Sequence, residues 1–328
     1  MNKVLVTGGG GFVGKALVTR LLEENIKVIA LGRNDYPEVR RMGAEMAIGD
    51  IRDKDFVLRV SRECDTIFHT AAKAGIWGDR QEYLTINVGG TGNVLTACYQ
   101  NNIPRLIFTS TPSVVFDRDD IKGGDESLPY ARKFLCYYAE SKARAEELIL
   151  KANSTNLKTA ALRPHLIWGP GDTNLIPRIL ERGRNQDLRI VGDGNNLVDI
   201  SYIDNVVQAH LLAAKDLENE SRSAGRAYFI SQGEPVKLWD WINSLFFRLD
   251  IPPVNRRISF RKAWFAGLTM ECYYKALRYH KEPPMTRFLA EQLARSHWFS
   301  IRAAARDLDY QPLISTDEGV RRLINSLT

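Results

Sequence analysis

Residues 4–14 read Val4-Leu5-Val6-Thr7-Gly8-Gly9-Gly10-Gly11-Phe12-Val13-Gly14. A short apolar run ends in a glycine cluster and passes at once into an amphipathic stretch, residues 12–24, so the order strand, tight turn, helix is predicted. Gly8, Gly11 and Gly14 keep a GxxGxxG spacing. Such a loop lets backbone approach a pyrophosphate seated on the helix N-terminus, where free N–H groups and the helix dipole attract anions. The backbone of Gly8, Gly11, Phe12, Val13 and Gly14 is therefore the expected cradle for a dinucleotide, and Gly14 lets helix and strand pack closely.

Working outward, further apolar runs at residues 28–31, 66–69, 106–109, 159–162 and 227–230 read as buried strands. Helical patterns over residues 54–62, 83–100 and 137–151 separate the first of them. Strands alternating with helices, joined by right-handed crossovers, predict an α/β chain with a Rossmann-type doubly wound parallel sheet. After Arg163 the rhythm loosens, and from Pro235 onward the pattern is mostly helical and aromatic. The expected division is a nucleotide-binding core over 1–163, completed by parts of 186–232. A smaller, mostly helical substrate region takes 164–185 and 233–328.

The 328 residues are 44% hydrophobic and 26% charged, ordinary for a globular protein. No apolar run has the length of a membrane span, and the chain enters its first strand too early for a signal peptide. Four scattered cysteines with no CxxC pair, and no His/Asp/Glu cluster of metal spacing, argue against a metal and for a reducing cytoplasm. The net charge of +6 is local: residues 251–302 carry ten Lys/Arg against three acids. That pattern points to an anionic substrate or surface near this segment and away from nucleic acid.

The end of the second strand selects the nucleotide. A carboxylate there would bind a ribose 2′-hydroxyl, whereas Arg accommodates a 2′-phosphate. The chain reads Ala30-Leu31-Gly32-Arg33-Asn34, which favours NADP(H) over NAD(H) through Arg33; Asp35 is the alternative, as a ribose ligand. Asp50 and Ile51, after the third apolar stretch, are placed to flank an adenine. Tyr138 and Lys142 lie four apart on a predicted helix, hence on one face. A free phenol titrates near ~10. A neighbouring ammonium is expected to lower that value and make the pair a general acid/base for a carbonyl–alcohol couple. A hydroxyl-rich strand end, Thr109-Ser110-Thr111-Pro112-Ser113, supplies partners.

Together TGxxGxxG, the strand-end hydroxyl and YxxxK resemble the extended short-chain dehydrogenase/reductase family, in its 3β-hydroxysteroid dehydrogenase-like branch. The resemblance takes in Ala71-Ala72-Lys73, Asn87, Arg163-Pro164 and Gly169-Pro170-Gly171, and so spans nearly the whole chain. The segments at 69–78, 109–116 and 162–172 are similar to those of the bacterial 2-alkyl-3-oxoalkanoate reductases of long-chain olefin biosynthesis. The resemblance implies an NADP(H)-dependent reductase forming a 3-hydroxy acid. Tyr138 would be proton donor, Lys142 would hold the nicotinamide ribose, and Thr111 would bind the substrate oxygen, with Ser110 and Ser113 as alternatives. It further implies cofactor contacts from Ala71, Ala72, Lys73 and Pro164, and loop support from Asn87. An NAD-dependent 3β-hydroxysteroid or 4-carboxysterol dehydrogenase is the second reading, and a non-catalytic dinucleotide sensor the third.

A hydrophobic small-molecule substrate needs apolar contact area. Trp77, Trp168 and Trp264 are candidates for its pocket, with Phe265, Tyr273 and Tyr274. Residues 264–277 read as an amphipathic helix between basic flanks, Arg256, Arg257, Arg261 and Lys262 before it and Lys275, Arg278, His280 and Lys281 after it. It reads as a lid, as a peripheral contact to anionic lipid or a pathway enzyme, or as core packing. Lys73, His165 and Arg178 are unranked candidates to meet a substrate carboxylate. Analogy with relatives implies a homodimer.

Overall fold

The computed structural model describes residues 1–279 and 281–327. Seven strands form the central sheet: β1 (Lys3–Thr7), β2 (Lys27–Gly32), β3 (Glu45–Ile48), β4 (Thr66–His69), β5 (Arg105–Thr109), β6 (Lys158–Pro164) and β7 (Arg226–Ile230). Their order is β3-β2-β1-β4-β5-β6-β7, and every pairing is parallel. All carboxyl ends therefore lie on one edge. The order reverses between β1 and β4, where Thr7 pairs with both Leu31 and His69; in such sheets ligands bind in that crevice.

Helices cover both faces: α1 (Phe12–Glu23), α2 (Gly90–Gln100), α3 (Tyr137–Lys151) and α4 (Ile203–Glu218) belong to this layer. The predicted helix over 83–100 is continuous but widens in its first part. A turn at Arg80–Tyr83 leads into a π-helical stretch, Leu84–Gly89, before α2 begins. Wide turns of this kind recur at functional sites, and this one carries Asn87.

The remainder of the chain builds α5 (Leu238–Arg248), α6 (Phe260–Ala276) and α7 (Arg287–Ala294), plus a four-stranded mixed sheet that joins Ile121–Gly124 to His297–Phe299. α6 docks tightly on α7. A Cβ on Gly267 would stand 2.6 Å from the Arg287 nitrogen. Buried Glu271 accepts from the Arg287 backbone N at 2.7 Å and from its guanidinium at 2.9 and 2.7 Å. The opposite side of α6 exposes Phe265, Cys272 and Tyr273. His280 lies outside the described residues. No described helix is long and apolar enough to cross a membrane.

The glycine loop has the conformation its spacing requires. Gly8 has φ +72, and a Cβ on Gly14 would stand 2.1 Å from the Gly8 carbonyl oxygen. That oxygen belongs to rigid backbone, so Gly14→Ala must push α1 off β1, an overpacking that costs roughly 1–3 kcal/mol. The variant should lose nucleotide binding by calorimetry and unfold several degrees below the parent; an unchanged midpoint would contradict the close approach.

Candidate active site

The site lies at the carboxyl edge of β1, β4 and β5. Thr7, the last residue of β1, starts a chain of hydrogen bonds whose direction can be read off. The Ala71 N–H donates to Thr7 Oγ1 at 3.2 Å, so the Thr7 hydroxyl donates to His69 Nδ1 at 2.7 Å. Thr91 donates to the Asn87 carbonyl at 2.6 Å, so it accepts from His69 Nε2–H at 2.9 Å. His69 is thus a neutral, Nε2-protonated imidazole, and burial holds it there by pulling its pKa down to about 3.

Asn87 continues the chain with its side-chain amide. Its Oδ1 accepts from the Lys73 N–H at 2.7 Å, and its Nδ2 donates to the Lys73 carbonyl at 3.1 Å and to Ser141 Oγ at 2.8 Å. Ser141 in turn donates to the Tyr138 carbonyl at 2.9 Å. The glycine loop, the segment after β4 and the helix bearing Tyr138 are therefore one connected polar unit.

Tyr138 and Lys142 both lie on α3, as their spacing predicts. Thr111 caps the short turn after β5, its hydroxyl accepting from the Ser113 N–H at 3.3 Å and donating to Ser113 Oγ at 3.2 Å. The electrostatics differ from the expectation. Burial is the largest influence on the Tyr138 phenol and pushes it up to about 12; the Thr111 hydroxyl pulls only weakly the other way. Lys142 does not turn to the phenol. Its ammonium donates to the Thr109 carbonyl at 2.5 Å and lies 3.9 Å from the centre of the Phe108 ring. A buried cation must find an acceptor, and a carbonyl plus a π-face compensate it incompletely: burial draws the Lys142 pKa down to about 7, against an upward pull from Glu146. Glu146 is itself clamped by Arg163 at 3.0 and 2.5 Å, which ties α3 to β6 just before Pro164.

At the far end of the crevice, Arg33 is exposed and makes no ion pair among the described residues, whereas Asp35 is bound to Arg40 at 2.8 Å. Asp50 is chelated by Arg52 at 2.9, 3.1 and 2.7 Å, and Ile51 packs against Gly90 of α2. Sequence reading missed Tyr36, whose ring lies over Gly10 and Gly32, each of which a Cβ would drive into it; an aromatic immediately before Pro37 was the available signal.

On the substrate side, a cavity of about 570 Å³ opens between the 76–79 loop, the 133–137 loop and α6. Trp77 lines it, with its Nε1 donating to the Tyr279 carbonyl at 3.1 Å. Trp168 does not: it is fully buried against Tyr202 and Trp241, because an apolar ring on the strand after His165 fills the core. Trp264 packs on Phe265 and Arg287 and is not among the residues that line the cavity. All three proposed carboxylate partners are engaged elsewhere: Lys73 with Glu82 at 2.9 Å, Arg178 with Glu282 at 2.5 Å, and His165 with His297 at 2.6 Å. Among the described residues, no group of three or more His, Cys, Asp or Glu could hold a metal ion.

The glycine cradle, which side chains would fill, fits a dinucleotide pyrophosphate. Lys142 fixes a measurable consequence without any ligand. Its pKa lies near 7 folded and at the ordinary 10.5 unfolded, so between these values the unfolded chain binds more protons and native stability rises with pH. Lys142→Met should therefore unfold at higher temperature than the parent at pH 6, with the gain shrinking as pH approaches 10. A pH-independent difference would contradict a charge buried at that place.

A family model described as the 3-beta hydroxysteroid dehydrogenase/isomerase family matches residues 5–261. The chain is 47% identical over 323 residues to a 2-alkyl-3-oxoalkanoate reductase of Stenotrophomonas maltophilia, covering 98% of each. It is 31% identical to a mouse sterol-4-alpha-carboxylate 3-dehydrogenase, decarboxylating, over 99% of this chain and 91% of the relative. Among solved structures, MoeE5 in complex with UDP-glucose and NAD superposes with a TM-score of 0.76 at 25% identity, covering 99% of this chain and 98% of the other. Fold, site and comparisons agree: the chain belongs to the 3-beta hydroxysteroid dehydrogenase/isomerase family, within the extended short-chain dehydrogenase/reductases, and is an oxidoreductase that uses a nicotinamide dinucleotide.

Proposed function

We propose that this enzyme reduces a hydrophobic 2-alkyl-3-oxo acid to the 3-hydroxy acid with NADPH, Tyr138 serving as proton donor. The observation that carries the reading is the placement of Tyr138 and Lys142 one turn apart on α3, with the Lys142 ammonium bonded to the Thr109 carbonyl at the carboxyl end of β5, two residues before Thr111. The relative at 47% identity, named for this reaction, supports the substrate class.

The cofactor supplies the hydride. What the chain adds is binding, orientation and a proton. Gly8 to Gly14 would hold the pyrophosphate, and Arg33, exposed and in no ion pair among the described residues, favours a 2′-phosphate. Thr111 and Tyr138 donate toward the substrate oxygen as negative charge grows there. A phenol held near 12 stays protonated at neutral pH. An alkoxide is a stronger base than a phenolate, so the proton passes from Tyr138 Oη to the new alcohol oxygen downhill. Lys142 would hold the nicotinamide ribose once its ammonium exchanges the Thr109 carbonyl for a ribose hydroxyl.

Steady-state assays with NADPH and NADH, on 2-alkyl-3-oxo acids and on steroids, separate this reading from a sterol dehydrogenase. Tyr138→Phe should lower kcat by roughly 10²–10⁴-fold, the usual worth of a general acid, while NADPH still binds. Turnover near the parent rate would remove Tyr138 as donor. Arg33→Ala should weaken NADPH more than NADH, and an equal loss for both would remove the argument for NADP(H).

A further inference from the structure

We infer that the cavity beside Tyr138 is an anion-binding site that holds the substrate's carboxylate, with Lys275 as its anchor. This deepens the reading of the enzyme as a 3-oxo acid reductase and rests on it for the identity of the acid. The cavity's position comes first. Cys136 and Tyr137, which immediately precede Tyr138, line it. Ile76, Phe134 and Leu135 also line it, and they pack on the same Phe116–Ala139–Phe288 cluster as Tyr138. A ligand here lies against the segment that carries the phenol.

Its charge comes second. Arg118, Lys133, Lys275, Arg278 and Arg287 all face the cavity, against Asp79 and Glu271. Glu271 is neutralised by Arg287 at 2.7 Å, and Asp79 caps the turn that follows it by accepting from the Glu82 N–H at 2.9 Å. The other four cations make no ion pair among the described residues. Unpaired cations in an aromatic-walled cleft recognise an anion attached to an apolar body.

Lys275 is the best placed of the four. Its ammonium stands 5.8 Å from the centre of the Trp77 ring and 5.9 Å from that of Tyr137. It is thus held between the two walls of the cavity by ring faces, which leave all three of its N–H donors available to a carboxylate. In a 3-oxo acid the carboxylate is separated from the ketone carbon by a single carbon. The cation that binds it must therefore lie near the proton donor, and Lys275 stands over the ring of Tyr137, the residue before Tyr138. The concentration of basic residues in 251–302 acquires a purpose: α6 and its flank bring positive charge to one side of the cleft.

Calorimetric titration of the NADPH-loaded protein with a 2-alkyl-3-hydroxy acid, which cannot accept a hydride and does not lose carbon dioxide as the oxo acid does, and with its methyl ester tests this. The parent should bind the acid at least about tenfold more tightly than the ester, the worth of one charge-assisted hydrogen bond. Lys275→Met should erase that difference by weakening the acid alone, and Lys275→Arg should restore most of it. Equal weakening of acid and ester by Lys275→Met would mean the side chain only packs, and a preserved difference would place the anchor elsewhere; either overturns the proposal. Acid-selective binding lost in Lys275→Met, without hydride transfer in the parent, would sink the reductase reading and leave the anion site standing. Turnover of the acid with its selectivity intact in Lys275→Met would do the reverse.

Discussion

Lys142 carries a charge into a place where, among the described residues, the Thr109 carbonyl and the face of Phe108 meet it and Glu146 acts on it from a distance. Few interactions in the molecule work so plainly against stability, since desolvating an ammonium costs more than one carbonyl and a ring return. The surroundings enforce it. Glu146, one turn further along α3, is clamped by Arg163 and fixes the helix against β6, and the Thr109 hydroxyl bonds His210 Nε2 at 2.7 Å, steadying the strand end that offers the carbonyl. A cation in so costly a place is held there by the stability of its neighbours, as the proposed role for Lys142 would require.

The same edge is rigid in another way. From the Ala71 N–H through Thr7, His69, Thr91, Asn87 and Ser141 to the Tyr138 carbonyl, each donor has one acceptor and the sense never reverses. Two constraints make this unit hold its shape: the imidazole cannot gain a proton because it is buried, and the Asn87 amide has both donors and its acceptor satisfied. The glycine loop and the helix that carries Tyr138 are thereby kept in fixed relation, which hydride transfer would require of its two reactants if they take the roles proposed above.

Much of this was legible before any coordinates. Glycines fixed by close approach, as at Gly14 against Gly8, leave a spacing that little else demands, and parallel strands buried on both faces appear as short apolar runs. Tyr138 and Lys142 share a helix face because four residues make about one turn. What could not be read is where long side chains turn. The direction of Lys142, and the partners of Lys73, Arg178 and Asp50, depend on groups 2 to 104 residues away in sequence. Trp168 and Trp77 look alike as letters; only packing makes one core and the other a cavity wall. The π-helical turn at Leu84–Gly89 has no composition signal, since its wide hydrogen bonds serve the placement of Asn87 rather than any propensity.

Burial keeps the Tyr138 phenol protonated in the free protein; in the proposed reduction, bound nucleotide would draw Lys142 off the Thr109 carbonyl to the ribose and so bring its charge nearer that phenol. Carbon-13 NMR of ring-labelled tyrosine, with the Tyr138 signal identified by its loss in the Phe variant, reads that protonation state directly. At pH 9 the resonance should be that of a neutral phenol without nucleotide and should move toward phenolate with NADP⁺ bound. A Tyr138 signal that stays at the neutral-phenol position with and without NADP⁺ would contradict the proposed partnership of Tyr138 and Lys142.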